Sequence, residues 1–289
     1  MPYTVGMLPA FVIGLREGVE AALIIGIIAV FLRSSGAAGA LRSMWIGVAA
    51  AVALCALVGI GLEIAGRELP ERAQEGLETV VSLVAVGMVT YMAVWMRRNA
   101  AGLKRALQAG ASNALAAGSA GALVGMAFLA VLREGFETAV FLVAAFNNSG
   151  SPASTGTGAV LGIAVAIVLG WAVAAGGVRI NLSRFFRVTG VVLILVAAGL
   201  LASAAHTAHE AGWLDIGQQR VLDLSAVVDP SEWWGALITG MLGIRPEPTR
   251  IEVLAWLAYL LPMTAYILRP ARPPQRPAVR APSHPALTS

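Results

Sequence analysis

Mostly apolar residues gather in seven long blocks along this chain, at 8–32, 44–64, 79–96, 120–145, 159–175, 188–205 and 251–268. Polar stretches separate them. A helix needs about 20 apolar residues to cross a hydrocarbon core about 30 Å thick. The pattern predicts an all-α integral membrane protein with seven transmembrane helices, the fifth being the shortest. Composition agrees. Only 12% of the 289 residues are charged, against about 25% in a soluble domain, and mean hydropathy is +0.78.

The polar connections alternate in basic content. Arg33, Arg42, Arg97, Arg98, Lys104, Arg105, Arg179, Arg184, Arg187, Arg269, Arg272, Arg276 and Arg280, 13 in all, follow odd-numbered spans. Arg67, Arg72, Arg220, Arg245 and Arg250, only 5, follow even-numbered ones. Basic residues concentrate on the cytoplasmic side, so the N-terminus is expected outside and the C-terminus in the cytoplasm. The pI of about 9.8 is thereby absorbed by topology, and no nucleic-acid partner is expected. Glu68, Glu71, Glu75, Asp215, Asp223, Asp229, Glu232 and Glu247 fall in the outer connections, where negative charge concentrates cations. The single cysteine, Cys55, excludes an intrachain disulfide. No cleavable signal peptide is expected, because Arg16, Glu17 and Glu20 interrupt the first apolar block.

Those three charges are the pattern's main violation, and it occurs twice. Arg16-Glu17-Gly18-Val19-Glu20 in the first block returns as Arg133-Glu134-Gly135-Phe136-Glu137 in the fourth, 117 residues later. Ala10, Phe11, Leu15 and Ala22 also match Ala127, Phe128, Leu132 and Ala139 at that offset. Three spans separate equivalent positions, so the copies run in opposite directions. This predicts an inverted 3+3 repeat, about 8–96 and about 120–205, followed by an outer loop 206–248 and a last span 251–268. Transporters often follow this plan and bind substrate near the midplane. Glu17 lies nine residues from Leu8 and Glu137 eight from Ala145, or about 14 Å and about 12 Å of helix from the outer side. The two clusters should therefore meet at one depth.

A charge at mid-bilayer costs about 2.5–3.5 kcal/mol on insertion scales and calls for a functional reason. Glu17 and Glu20 share a helix face, as do Glu134 and Glu137, and Arg16 and Arg133 can each pair with the glutamate four residues on. Gly18 and Gly135 leave room for a neighbouring backbone. Four carboxylates and two guanidiniums sum to a formal charge of −2, which a divalent cation neutralises. Carboxylates are hard ligands suited to iron, manganese, magnesium or calcium. The competing structural reading is a pair of salt bridges locking two helices, but two carboxylates per arginine exceed that need.

Outside the motif, His206, His209 and Glu210 close the sixth span, and Glu75 and Glu78 open the third. These are candidates for outer capture of cations. The alternatives are a polar helix end at the headgroups and carboxylates favouring a helix N-terminus. Glu63 has only a weak claim. Met88, Met92, Met96, Tyr91 and Trp95 are expected in the core. Trp233-Trp234 and the apolar stretch to Ile244 suggest an interfacial helix in preference to a re-entrant segment. The Pro/Ala/Arg-rich tail, 271–289, is expected to be a disordered cytoplasmic end.

The doubled Arg-Glu-Gly-x-Glu helices resemble the oxidase-dependent iron transporter family, which includes the fungal high-affinity iron permeases and the bacterial EfeU permeases. The likeness covers about residues 1–270. It takes in Glu75-Gly76-Leu77-Glu78, Trp95-Met96-Arg97-Arg98 and His209-Glu210-Ala211-Gly212-Trp213-Leu214. It implies iron import, as Fe(II) or Fe(III), across the plasma membrane, here that of a bacterium. It implies Glu17, Glu20, Glu134 and Glu137 as metal ligands, iron as transported substrate and no permanently bound cofactor. It also implies a separate iron-oxidising partner: a multicopper ferroxidase, or a cupredoxin-like periplasmic protein with a haem peroxidase. Rival readings are a permease for another hard cation such as manganese, an intramembrane enzyme using paired carboxylates, and a structural or sensory subunit.

Overall fold

A computed structural model describes residues 6–37, 39–99, 109, 112–113, 120–148, 151–174, 182–221, 224, 235, 238–239 and 242–269. Seven long helices carry the architecture: α1 (Met7–Ser34), α2 (Ala40–Arg67), α3 (Glu71–Asn99), α4 (Ala120–Asn147), α5 (Pro152–Ala174), α6 (Leu182–Glu210) and α7 (Arg250–Leu268). Each apolar block forms one helix, and most helices run beyond their block into polar turns. Backbone hydrogen bonding does not stop where hydropathy falls. Five of them, α2, α3, α5, α6 and α7, are long and apolar enough to cross a membrane. At 28 residues each, α1 and α4 match them in length but carry the motif charges near their middles.

Local chemistry sets several helix ends. α7 starts at a capping box: Thr249 Oγ1 accepts from the Glu252 N–H, and Glu252 Oε2 accepts from the Thr249 N–H at 3.2 Å. Pro262 lies inside α7. α6 ends where Gly212 takes φ +77° and the Trp213 N–H reaches back to the Ala208 carbonyl at 2.8 Å, a left-handed C-terminal cap.

The helices pair in a definite pattern. α1 lies along α5, α2 along α4 and α3 along α6; α1 and α4 meet at the centre, and α7 packs on α6. Exchanging α1 with α4, α2 with α5 and α3 with α6 maps these pairings of the first six helices onto themselves. Lipid offers apolar side chains as good a home as protein does, so close approach through small residues drives such contacts. Gly47 of α2 sits against the Val124 backbone, and Gly158 of α5 against the Met7 backbone. A Cβ at Gly18 would stand 2.7 Å from Ala166 Cβ, and one at Gly135 2.7 Å from Cys55 Sγ. Met7 and Val124, like Gly18 and Gly135, are 117 residues apart, whereas Gly47 and Gly158, like Cys55 and Ala166, are 111 apart.

Two apolar clusters lie on either side of the motif level. One gathers Ile13, Val81, Ala85, Phe141, Leu193 and Val196 from α1, α3, α4 and α6. The other gathers Ile24, Ile28, Leu32, Met44, Val48 and Val131 from α1, α2 and α4. Met88 and Met92 pack as expected. Tyr91 does not: it is 60% exposed on the outer face of α3. Hydropathy cannot separate a lipid-facing position from a core one.

Most of the segment before α7, with Trp233 and Trp234, lies outside the described residues, as does the tail 271–289. The described end of the segment, Leu242–Gly243, meets α6 at Gly199. Gly199 stands 11 residues before the α6 terminus at Glu210, about 16 Å along the helix. Two glycines make the contact possible: Gly199 presents no Cβ, and Gly243 adopts φ +62°. The Trp256 indole N–H donates to the Leu242 carbonyl at 2.8 Å and holds the segment from the α7 side.

Overfilling a packed contact costs about 1–3 kcal/mol. Gly47→Leu and Gly158→Leu should each lower the melting temperature of the detergent-purified protein. Gly87→Leu, at an exposed position with open space around it, should not. Equal melting curves for all three would contradict this packing.

Candidate metal centre

The motif side chains of α1 and α4 converge where the two helices meet. One carboxylate oxygen from each of Glu17, Glu134 and Glu137 lies within 4.8 Å of the others. Oxygens bound 2.0–2.6 Å from one hard cation stand up to about 4–5 Å apart across it, so the trio is spaced for a single ion. All four motif glutamates are buried, from 1% exposure at Glu17 to 9% at Glu20. Both Glu17 oxygens, Oε1 of Glu20, and Oε2 of Glu134 and of Glu137 accept no hydrogen bond. Buried carboxylate oxygens ordinarily find donors, and oxygens so placed could hold a metal ion.

Each arginine engages its own glutamates in nearly the same way. Arg16 Nε lies 3.3 Å from Glu20 and its NH1 3.8 Å from Glu17. Arg133 Nε lies 3.2 Å from Glu137, to which it donates a hydrogen bond, and 3.8 Å from Glu134. The surroundings differ. The Arg16 side chain is 3% exposed and that of Arg133 37%, and the Arg133 guanidinium lies 5.0 Å from the centre of the Trp95 ring. Trp95 thus sits against a charge rather than in an apolar core. The glycines act as the sequence suggests, since Gly18 admits α5 and Gly135 admits α2.

The outer candidates separate into two groups. Glu75, Glu78 and Glu210 line a cavity of about 370 Å³ together with Asn147, Asn148, Thr207, Thr239 and Arg245. Its walls come from the ends of α1, α3, α4 and α6 and from Thr239, Gly243 and Arg245 before α7. A smaller cavity, about 60 Å³, adjoins it through Glu78 and Asn147 and reaches Glu63 and Gln74. The histidines are not among the described lining residues of either cavity. His206 is clamped: Arg245 NH1 donates to its Nε2 at 2.6 Å, and its Nδ1 donates to Glu252 Oε1 at 2.8 Å. Glu210 approaches the same Nε2 at 3.2 Å. His209 donates from Nδ1 to the Leu214 carbonyl at 2.9 Å, steadying the turn after α6. The shared helix face read from their spacing is real, but different partners engage the two rings. Sequence reasoning missed Glu252 and Arg245. Glu252 drew no notice within the last apolar block, and Arg245 counted only as a loop charge.

The stretches that carried the resemblance also meet in space. The Trp213 ring packs on Gly76, where a Cβ would come within 2.8 Å of it, between Glu75 and Leu77. The hydroxyls of Thr79 and Thr207 lie 2.7 Å apart and tie α3 to α6 at the same end.

Known proteins point the same way. Residues 7–272 match the iron permease FTR1 family. The chain is 40% identical over 267 residues, 91% of its length and 96% of the relative's, to the "ferrous iron permease EfeU" of Escherichia coli O6:K15:H31 (strain 536 / UPEC). A protein of the same name from Shigella sonnei (strain Ss046) shares 40% identity over the same shares of each chain. That of Yersinia pestis shares 38% over 280 residues, 95% of this chain and 98% of the relative. No solved structure matches. The relatives are named as permeases and not as enzymes, and the helices make this a multi-pass membrane protein. On a match that spans nearly its whole length, the chain belongs to the iron permease FTR1 family.

Proposed function

We propose that this chain imports iron across the bacterial plasma membrane, with Glu17, Glu20, Glu134 and Glu137 as the ligands of the ion in transit. The observation that carries the reading is the buried trio Glu17, Glu134 and Glu137, drawn from two helices, with oxygens that no donor satisfies. The relatives' printed name favours Fe(II) as the cargo. Two charges remain after the arginines are counted, and a divalent ion cancels them.

In this reading all seven helices cross the bilayer, with the N-terminus outside and the C-terminus cytoplasmic. Residues 8–96 and 120–205 form the inverted halves. The self-mapping helix pairings and the matched glycine contacts support that arrangement. Cations gather first in the outer cavity at Glu75, Glu78 and Glu210, with Glu63 deeper in the side cavity. His206 and His209 serve as braces there rather than as ligands. Ile13 and Phe141 sit one turn outward of Glu17 and Glu137, and each is 1% exposed. They close the way from the cavity to the glutamates, so passage requires the two halves to rearrange about the site. Arg16 and Arg133 hold the carboxylates and limit the charge that would otherwise trap an ion. A separate iron-oxidising protein on the outer side completes the proposal.

Glu17→Gln and Glu137→Gln should reduce iron uptake by proteoliposomes to background while leaving the protein folded in the bilayer. Uptake at the native rate by both would defeat the reading. The all-oxygen ligand set also suits manganese. Excess Mn(II) or Ca(II) should leave radioiron uptake largely intact, whereas full competition by either would make this a broader cation permease. Orientation has its own test, in a Cys55→Ala background. Asp215→Cys should react with an impermeant maleimide on intact cells, and Ser35→Cys only after permeabilisation. The reverse labelling would invert the topology.

A further inference from the structure

The two halves of the glutamate site are near copies in their ion pairs and differ in how each arginine is held. The Arg16 side chain is only 3% exposed, so the surrounding packing holds it against its glutamates. Arg133 is 37% exposed and has room to leave its glutamates. Around it α4 presents Leu129, 65% exposed, and Phe136, 44% exposed, neither of which offers a hydrogen-bond acceptor. The indole of Trp95 faces the guanidinium, 5.0 Å from ring centre to Cζ. Trp95 comes from α3, a different helix, near its end at Asn99.

We propose that Trp95 is a positioning residue for iron binding. Its ring face holds the Arg133 guanidinium by a cation–π contact, and Arg133 in turn holds Glu134 and Glu137 in the geometry that receives the ion. The inference rests on the glutamate-site reading above. Arg133 makes its carboxylate contacts through Nε, at 3.2 Å and 3.8 Å. Both contacts run through the same nitrogen, so a reorientation of the side chain that carries Nε away alters them together. An aromatic face restrains that movement as no aliphatic side chain does, because the attraction comes from the ring quadrupole. A contact of this kind is worth a factor of about 2 to 30 in an equilibrium constant, more where water is excluded. Only two of the four glutamates depend on it, so its loss should weaken iron binding without abolishing transport.

The test compares Trp95→Phe with Trp95→Leu in the full-length protein reconstituted in proteoliposomes. Both remove volume from the α3–α4 contact, leucine more than phenylalanine, so melting temperatures are read alongside to account for packing loss, and only phenylalanine keeps a ring face. The expected result is a KM for Fe(II) within about threefold of the native value for Trp95→Phe and raised about tenfold for Trp95→Leu, with little change in the maximal rate of either. Equal KM values for the two variants, or a loss confined to the maximal rate, would overturn the proposal. Glu17→Gln and Glu137→Gln, assayed alongside, separate the two levels. If they transport normally, the glutamate site itself is wrong. If they are dead while the two Trp95 variants behave alike, only the role given to Trp95 fails.

Discussion

Four carboxylates gathered in the middle of a membrane protein are the constraint to which the rest of the structure answers. Water cannot solvate them there, and each would cost several kcal/mol if left alone. Three devices make the arrangement tolerable. Each pair is matched with an arginine one helical turn away. The pairs are brought together, so that one cation can serve Glu17, Glu134 and Glu137 at once. The helices that carry them are wrapped by neighbours set close through Gly14, Gly18, Gly47, Gly135, Gly158 and Gly162, which shields the charges from lipid. Oxygens without donors would be a defect in a merely structural salt bridge, and they are what a passing ion needs.

The outer side obeys a related rule. Irregular backbone is stable where protein buries it or where its polar groups line a cavity. The described residues before α7 meet both conditions. Gly243 rests on Gly199, while Thr239 and Arg245 face the cavity shared with Glu75, Glu78 and Glu210. Arg245 continues into the His206–Glu252 chain, so the same residues that shape the cavity wall anchor α7 to α6. His206, held in that chain, stiffens this end of α6, while Glu75, Glu78 and Glu210 line the cavity.

Much of this was legible in the sequence because the membrane makes hydropathy almost sufficient for counting helices. The doubled motif went further. Its offset of 117 residues predicted that Glu17 and Glu137 would share a depth, and the trio's 4.8 Å spacing agrees. What stayed hidden had physical causes. Tyr91 reads as core because lipid and core look alike to an apolar side chain. His206 and His209 share a face by spacing, but the side-chain partners of His206, Glu252 and Arg245, lie 46 and 39 residues away in sequence, and no local pattern announces them. The contact of Gly243 with Gly199 joins two distant segments, which a composition scan cannot foresee. The second offset, 111 residues between α2 and α5, is carried by Gly47 with Gly158 and by Cys55 with Ala166. The first pair is identical and the second agrees only in small size, too little for sequence comparison of those helices to register.

On the proposed function, the arginines account for how such a site would release an ion. Four glutamates alone would present four negative charges to an ion already stripped of water, and in a medium of low dielectric that attraction would hold it. Two guanidiniums halve the charge. They do so without competing for the ion, since arginine has no acceptor and stays protonated. A lysine would offer a point charge on a mobile stem, whereas the planar guanidinium fixes its donors relative to the carboxylates. Fixing the donors requires fixing the plane. Close packing does this for Arg16, and Trp95 is the neighbour placed to do it for Arg133. The inequality between two otherwise matching halves therefore falls on how firmly each arginine is held, and the more loosely enclosed one belongs to the pair that supplies two of the three converging oxygens.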